Sequence, residues 1–156
     1  IAKQNGKLHR NFMGYTTQNS GLLVGLGVSA ISDLGNAFAQ NEKSLHDYYA
    51  SVNSGSLPVT RGYFLNEEDI AFRQYIKDVS CKGATVFHKE HLPVLEEFCF
   101  PVLEQLASDG LVDYDKHHLK LKGEGHYFIR NACSAFDLYL QRDKFVLNKQ
   151  TYSKAI

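Results

Sequence analysis

The feature that most constrains the fold is one short apolar run with no counterpart elsewhere in the chain. Residues 21–31 read Gly-Leu-Leu-Val-Gly-Leu-Gly-Val-Ser-Ala-Ile, and turn-forming residues follow at 32–35. This pattern predicts a strand over about 22–31 that is buried on both faces, which is typical of parallel α/β sheets. Because no second run of this kind follows, we expect the other strands of its sheet to lie upstream.

A helix is predicted after this strand. Leu45, Tyr48, Tyr49 and Val52 recur at the spacing of one helical stripe, which predicts a helix over about 36–52. Residues 53–58, Asn-Ser-Gly-Ser-Leu-Pro, break the pattern and predict a linker. The sequence is therefore divided into a first region, 1–58, and a second region, 59–156.

The second region predicts a compact helical domain with a β-hairpin wing. Asn66 suits a helix N-cap, Pro101 a kink or break, and Gly110 a helix stop. Two helix faces are predicted to be buried, one with Phe72, Ile76 and Val79 and one with Leu95, Cys99, Val102 and Leu106. Residues 111–115 and 118–121 alternate as a hairpin, and a last helix is predicted over about 123–140. The fold class is thus mainly α with a small β component, winged-helix-like in its second region.

The charge balance argues against partners that bind through charge. Lys and Arg number 17, as do Asp and Glu, so the formal net charge is zero. A winged helix invites a DNA-binding hypothesis, but the predicted helix at 95–109 carries four acidic residues and no Lys or Arg. No apolar run approaches the roughly 20 residues of a membrane span. We expect no nucleic-acid or membrane partner.

The cysteines indicate the cellular compartment, and the first residue indicates whether the chain is a piece of a longer protein. Cys81, Cys99 and Cys133 are too far apart in sequence for a cluster or zinc motif. Cys99 and Cys133 fall among apolar residues at helical spacing, which predicts buried free thiols. An odd number of cysteines without a secretory signal fits a reducing, cytoplasmic setting. The chain starts at Ile1 rather than at a methionine, and we expect a piece of a longer protein.

Two other patterns have simpler interpretations than a site. Gly25, Gly27 and Ala30 satisfy a loose dinucleotide fingerprint, with Asp47 about 20 residues further on. The fingerprint requires a helix at its third position, whereas Ile31 prolongs the predicted strand. His88, His91, His117 and His118 have no third metal ligand in a matching pattern, and we interpret them as surface residues.

Residues 9–17 pack polar donors around aromatic side chains. The guanidinium of Arg10 can bind a carboxylate through two parallel hydrogen bonds, and Asn11 and Tyr15 could orient a ligand. These three residues are therefore candidates to line a substrate cavity. A structured loop without a ligand explains the same residues equally well, and the residues alone leave both alternatives open.

Several motifs together resemble one enzyme family. They are Arg-Asn-Phe-x-Gly-Tyr-Thr-Thr at 10–17, Gly-Leu-Gly-Val-Ser-Ala-Ile-Ser at 25–32, Ala-Gln-Asn at 39–41 with Tyr-Tyr at 48–49, Asp-Gly-Leu-Val at 109–112, and Ile-Arg-Asn at 129–131 with Phe-Asp at 136–137. In order and spacing they resemble the C-terminal part of oxygen-independent coproporphyrinogen III oxidases. Lys122 departs from that pattern where a Thr would cap the last helix, so we expect that helix to begin later or to fray.

The resemblance implies a radical S-adenosylmethionine enzyme. Its fold would be a three-quarter barrel of parallel strands whose last strand is residues 22–31, with a [4Fe-4S] cluster held upstream by Cys-x-x-x-Cys-x-x-Cys. Two S-adenosylmethionines would bind, and two propionates of coproporphyrinogen III would become vinyl groups. This chain lacks the cluster ligands and would be inactive alone. A reductant would serve the cluster, and the parent enzyme would be a monomer.

The resemblance also implies one cofactor residue and one alternative. Ile31 matches a residue that contacts the second S-adenosylmethionine at the end of the last barrel strand; an Ile that merely packs the core is the alternative. No catalytic or metal-binding residue is expected in this chain. A haem-binding or haem-delivering relative of the same family is the alternative function.

Overall fold

The computed structural model describes residues 6–11, 13–18 and 21–147, which fall into two compact units. The β unit comprises the described residues within 11–70, and the helical unit comprises 6–10 and 71–147. The division at 70/71 lies later than the predicted linker at 53–58. The reason is that residues 59–64 form a strand of the β unit's sheet rather than the start of a helical domain.

A short hairpin opens the described chain. Strands β1 (His9–Asn11) and β2 (Gly14–Thr16) form a two-stranded sheet. The side-chain oxygen of Asn11 accepts the backbone N–H groups of Met13 and Gly14 at 2.9 and 3.2 Å. This side chain therefore stabilises the turn by mimicking a backbone acceptor.

The main sheet of the β unit is an antiparallel meander. Strands β3 (Ile31–Asp33), β4 (Ala37–Asn41) and β5 (Val59–Phe64) lie in the order β3-β4-β5. The tight turn between β3 and β4 is closed by a hydrogen bond from the N–H of Leu34 to the carbonyl of Ala37. Gly35 occupies this turn with a φ of 85°, a conformation that glycine adopts without strain.

The predicted strand over 22–31 is wrong in extent and in pairing. Residues 24–30 are irregular, Leu23 makes a single bridge to Asp33, and the regular strand begins only at Ile31. Gly27 and Ser29 have φ values of 102° and 59°, which a continuous strand cannot accommodate. Between the described strands the pairing is antiparallel, not parallel.

The predicted helix over 36–52 is wrong in its first half. Residues 37–41 form β4, and helix α1 spans Leu45–Asn53. Ser44 caps the helix, because its hydroxyl accepts the N–H of Asp47 at 3.4 Å. The helical stripe at 45–52 is real, although Leu45, Tyr49 and Val52 are exposed in the structure.

Helix α2 (Glu67–Lys82) begins at the predicted N-cap, Asn66, and the structure shows that this cap is reciprocal. The side chain of Asn66 accepts the N–H of Asp69 at 2.8 Å, and the carboxylate of Asp69 accepts the N–H of Asn66 at 3.0 Å. Phe72, Tyr75 and Val79 form its buried face.

The next helical stretch contains a π-helical turn that shifts its buried face. It consists of α3 (Leu92–Val94), a π-helical turn (Leu95–Cys99) and α4 (Phe100–Ser108). Pro101 follows the turn and has no N–H to give to a carbonyl four residues back, which favours the wider turn. The turn accommodates one extra residue, so Leu103 is fully buried whereas the predicted Val102 is only half-buried.

Helix α4 ends at the predicted glycine. Gly110 has a φ of 73°. The N–H of Gly110 donates to the carbonyl of Ala107, and the N–H of Leu111 donates to the carbonyl of Leu106. These two hydrogen bonds form a Schellman motif.

A three-stranded sheet and two helices complete the helical unit. The predicted hairpin is confirmed as β7 (Val112–Tyr114) and β8 (His118–Leu121), while β6 (Ala84–Val86), which the sequence did not indicate, adds to β8. The single predicted helix over 123–140 is wrong: a 3₁₀ turn (Gly123–His126) precedes α5 (Ile129–Ser134) and α6 (Leu138–Leu147). The later start agrees with the missing cap at Lys122.

The helical unit has one continuous hydrophobic core. It is formed by Phe72, Tyr75, Val79, Phe87, Leu95, Cys99, Leu103, Leu106, Val112, Leu119, Leu121, Ala132, Cys133, Ala135, Phe136 and Leu138. The buried free thiols predicted for Cys99 and Cys133 are confirmed, and Cys81 is also free and buried. Burial raises the pKa of the Cys99 thiol to about 12 and that of Cys133 to about 11, so both are protonated and unreactive at neutral pH.

The π-helical turn can be tested by comparing two neighbouring truncations. Leu103→Ala should lower the free energy of unfolding by about 2–5 kcal/mol, because it leaves a cavity in the core. Val102→Ala should cost clearly less, because Val102 is half-buried. Urea denaturation followed by circular dichroism measures both; equal losses would contradict the assigned face.

Candidate functional site

The segment that leads into Ile31 is fixed by hydrogen bonds rather than by regular structure. Leu23 and Asp33 exchange two backbone hydrogen bonds of 2.8 Å. The N–H of Gly25 donates to the hydroxyl of Ser32 at 3.0 Å, and the N–H of Gly27 donates to the hydroxyl of Tyr48 at 3.1 Å. Contacts to β3 and α1 therefore determine where this irregular segment runs.

Asn41, at the end of β4, holds the same segment from the other side. Its side chain is only 6% exposed, and its amide nitrogen donates to the carbonyls of Gly25 and Gly27 at 3.1 and 2.9 Å. Its backbone N–H donates to the carbonyl of Ala30 at 2.9 Å. One buried residue thus supplies three donors to the segment, and both protons of its amide are used.

The pattern of the ladder leaves the main chain of Ile31 facing away from β4. Residues in an antiparallel pair alternate between exchanging and not exchanging hydrogen bonds. Asn41 donates its backbone N–H to the carbonyl of Ala30, so these two residues form a hydrogen-bonded pair. The next pair along the ladder, Ile31 and Gln40, therefore exchanges no backbone hydrogen bonds. The N–H and carbonyl of Ile31 therefore point towards the edge on which Gly25 lies.

Gly25 makes this close approach possible. A Cβ atom at this position would lie 2.7 Å from the carbonyl oxygen of Ile31 and 2.9 Å from its carbon, closer than side chains pack. The glycine pattern that resembles a dinucleotide fingerprint is therefore explained by chain packing. Asp47 lies in the first turn of α1, not at the end of a second strand, which agrees with rejecting that fingerprint.

The three cavity candidates have different surroundings. Asn11 uses its side-chain oxygen in the β1–β2 turn, and Tyr15 is 51% exposed in β2. Arg10 is exposed in the helical unit, and its positive charge lowers the pKa of Cys133, which burial raises more strongly. Phe12 of the same motif lies outside the described residues. Their role towards a substrate stays a prediction.

Two of the four histidines named from the sequence lie beside a buried tyrosine that sequence reasoning did not single out. The hydroxyl of Tyr75 lies 2.7 Å from Nδ1 of His91 and accepts the N–H of His88 at 3.1 Å. Burial raises the pKa of Tyr75. Among the described residues, no group of three His, Cys, Asp or Glu side chains could hold a metal ion.

Comparison with known proteins identifies relatives over most of the chain. No family model matches it. The curated oxygen-independent coproporphyrinogen III oxidase of Escherichia coli is 38% identical over 152 residues, which is 91% of this chain and 32% of that protein. The protein of the same name from Pseudomonas aeruginosa is 35% identical over 161 residues, 99% of this chain and 34% of that protein.

A solved structure extends the comparison to the fold. The Escherichia coli coproporphyrinogen III oxidase, described as a radical SAM enzyme, is 37% identical, with a TM-score of 0.76, over 88% of this chain and 33% of that chain. This chain is homologous to the oxygen-independent coproporphyrinogen III oxidases. The resemblance based on its motifs is confirmed, and the chain spans about a third of the length of these coproporphyrinogen III oxidases.

The residues around Ile31 are compatible with the S-adenosylmethionine that this family of coproporphyrinogen III oxidases implies. The side chain of Ile31 is half-buried and apolar, and its main-chain N–H and carbonyl are not used in the β3–β4 ladder. An apolar surface beside main-chain donors and acceptors suits an adenosyl group. No helix among the described residues has the length and apolar character to cross a membrane.

Removing the Asn41 amide should loosen the segment that precedes Ile31. Asn41→Ala leaves the carbonyls of Gly25 and Gly27 without their donor, at a cost of about 1–3 kcal/mol. We expect faster hydrogen exchange at the amides of Gly25, Gly27 and Ser29, measured by NMR. Gln40→Ala is the matched control, because among the described residues its amide makes a single long contact of 3.5 Å. Equal exchange in both variants would contradict the role of Asn41.

Proposed function

We propose that this chain is the C-terminal part of an oxygen-independent coproporphyrinogen III oxidase. The enzyme would convert two propionates of coproporphyrinogen III to vinyl groups and yield protoporphyrinogen IX. The observation that carries the proposal is the 38% identity over 91% of the chain to an enzyme of that name, with a matching structure at a TM-score of 0.76. The relatives compared above are all named as oxidases, and no observation favours haem delivery.

The parent enzyme would use S-adenosylmethionine and a [4Fe-4S] cluster. S-Adenosylmethionine, once bound, supplies the 5′-deoxyadenosyl radical that removes a hydrogen atom from a propionate. Cys81, Cys99 and Cys133 are buried in the helical unit, and no group of His, Cys, Asp or Glu among the described residues could hold a metal ion, so the cluster ligands would come from the rest of the enzyme. We infer that two S-adenosylmethionines bind and that a separate reductant serves the cluster.

Within this chain, Ile31 would contact the second S-adenosylmethionine. Its half-buried side chain would pack against the adenosyl group, and its main-chain N–H and carbonyl would form hydrogen bonds to it. Asn41 and Gly25 would position these groups by holding the backbone around them. Arg10, Asn11 and Tyr15 would line the substrate cavity, where the guanidinium of Arg10 could bind a carboxylate.

The surface of the β unit supports a larger assembly of which this chain is a part. Among its described residues, Leu26 is 86% and Phe64 82% exposed. Leu22, Val24 and Leu57 are also exposed. Apolar side chains in such number mark a contact surface. We infer that the rest of the enzyme contacts this surface, that the enzyme is a cytoplasmic monomer, and that it binds no nucleic acid.

Anaerobic turnover of the full-length protein tests the proposed function. With coproporphyrinogen III, S-adenosylmethionine and a reductant, we expect protoporphyrinogen IX and 5′-deoxyadenosine, detected by chromatography and mass spectrometry. The isolated chain should form neither product. Absence of both products from a full-length protein with a reconstituted cluster would refute the assignment.

Ile31 can be tested by binding alone. In the full-length protein, Ile31→Ala should weaken S-adenosylmethionine binding about tenfold, because the lost packing is worth about 1–2 kcal/mol. Leu34→Ala, three residues along and exposed, is the control and should leave the affinity unchanged. Equilibrium dialysis with labelled S-adenosylmethionine gives both affinities. An unchanged affinity in Ile31→Ala would favour a plain packing role.

A further inference from the structure

Ile31 belongs to a row of side chains that crosses the sheet of the β unit. In the strand register, Ile31 pairs with Gln40, and Gln40 pairs with Arg61. Side chains of directly paired residues lie on the same face of a sheet. One face therefore presents an apolar side chain, an amide and a guanidinium in sequence, and the two outer positions are about 10 Å apart, two inter-strand spacings.

Arg61 is the cationic member of this row. It is exposed, and its guanidinium makes no ion pair or hydrogen bond to any residue that the structure describes. The carboxylate of Asp69, near the same strand, already accepts hydrogen bonds from Tyr63 and from the N–H of Asn66. The guanidinium is thus available for a ligand carboxylate, which it can bind through two parallel hydrogen bonds.

The neighbouring side chains fix the shape of the row. Gln40 lies between Ile31 and Arg61, and its amide nitrogen reaches the carbonyl of Ser29 at 3.5 Å. The side-chain oxygen of Gln40 can still accept a hydrogen bond. A ligand lying along this row would meet an apolar surface, then a polar group, then a positive charge.

We propose that Arg61 binds the carboxylate of a ligand whose other end lies against Ile31. The inference rests on the proposed function, since it requires a ligand at Ile31. Two ligands of the proposed enzyme carry carboxylates: S-adenosylmethionine has one on its methionyl end, and coproporphyrinogen III has its propionates. The chemistry of recognition is the same for both, and binding measurements distinguish them.

The test uses the full-length protein and its Arg61→Gln variant. If Arg61 binds the methionyl carboxylate, the variant binds S-adenosylmethionine at least tenfold more weakly, while decarboxylated S-adenosylmethionine binds equally to both proteins. If Arg61 binds a propionate, S-adenosylmethionine binding is unchanged and coproporphyrin III binding, followed by fluorescence, weakens at least tenfold. Either outcome supports the proposal.

Two further variants separate charge, geometry and folding. Arg61→Lys retains the charge but cannot form the paired hydrogen bonds, so it should lose part of the affinity. Lys43→Gln removes an exposed cation just after β4 and should leave both affinities unchanged. Thermal unfolding should be the same for all four proteins.

Two results would overturn the proposal, and they differ in what they imply. If Arg61→Gln binds both S-adenosylmethionine and coproporphyrin III within twofold of the wild type, the role of Arg61 is wrong and the proposed function stands. If the wild-type protein binds neither ligand, the proposed function fails and the role of Arg61 fails with it.

Discussion

The buried side-chain amide of Asn41 is the interaction on which the rest of the β unit depends. Only Ser32, Ala37 and Asn41 are buried among its described residues, so hydrophobic packing contributes little there. Hydrogen bonds to Gly25 and Gly27 instead fix an irregular segment whose glycines would otherwise allow many conformations. The position of Ile31 follows from this clamp, because Gly25 packs against the Ile31 carbonyl.

The helical unit is stabilised in a different way. Its core joins helices α2, α4, α5 and α6 to strands β7 and β8 of its sheet, and helix α4 ends in a regular cap at Gly110. Burial keeps the thiols of Cys99 and Cys133 protonated, and no group of His, Cys, Asp or Glu side chains among the described residues could hold a metal ion.

The sequence correctly predicted those structural elements that form because of residues close to one another in the chain. The cap at Asn66, the stop at Gly110 and the hairpin from Val112 to Leu121 each depend on residues within a few positions of one another. The failures depend on distant partners. Residues 37–41 form the central strand of their sheet because β5, about 20 residues further on, pairs with them in addition to β3, and β6 pairs with β8, which also lies far along the chain.

The site shows the same division between local and distant causes. Ile31 was identified through a family resemblance, and no periodicity or spacing distinguishes it from a core residue. Asn41 and Arg61 carry no local signal either: an Asn at a strand end and an Arg in an exposed strand are common. Their significance arises from register, which places Asn41 beside the glycines and Arg61 in the row with Ile31.

We propose that residues around Ile31 form part of an S-adenosylmethionine site in a coproporphyrinogen III oxidase. A crystal structure of the full-length protein with its cluster and S-adenosylmethionine tests this proposal most directly. We expect a cofactor molecule in van der Waals contact with the side chain of Ile31. If the electron density for S-adenosylmethionine lies only where no residue between Leu23 and Asp33 contacts it, the proposed role of Ile31 is wrong.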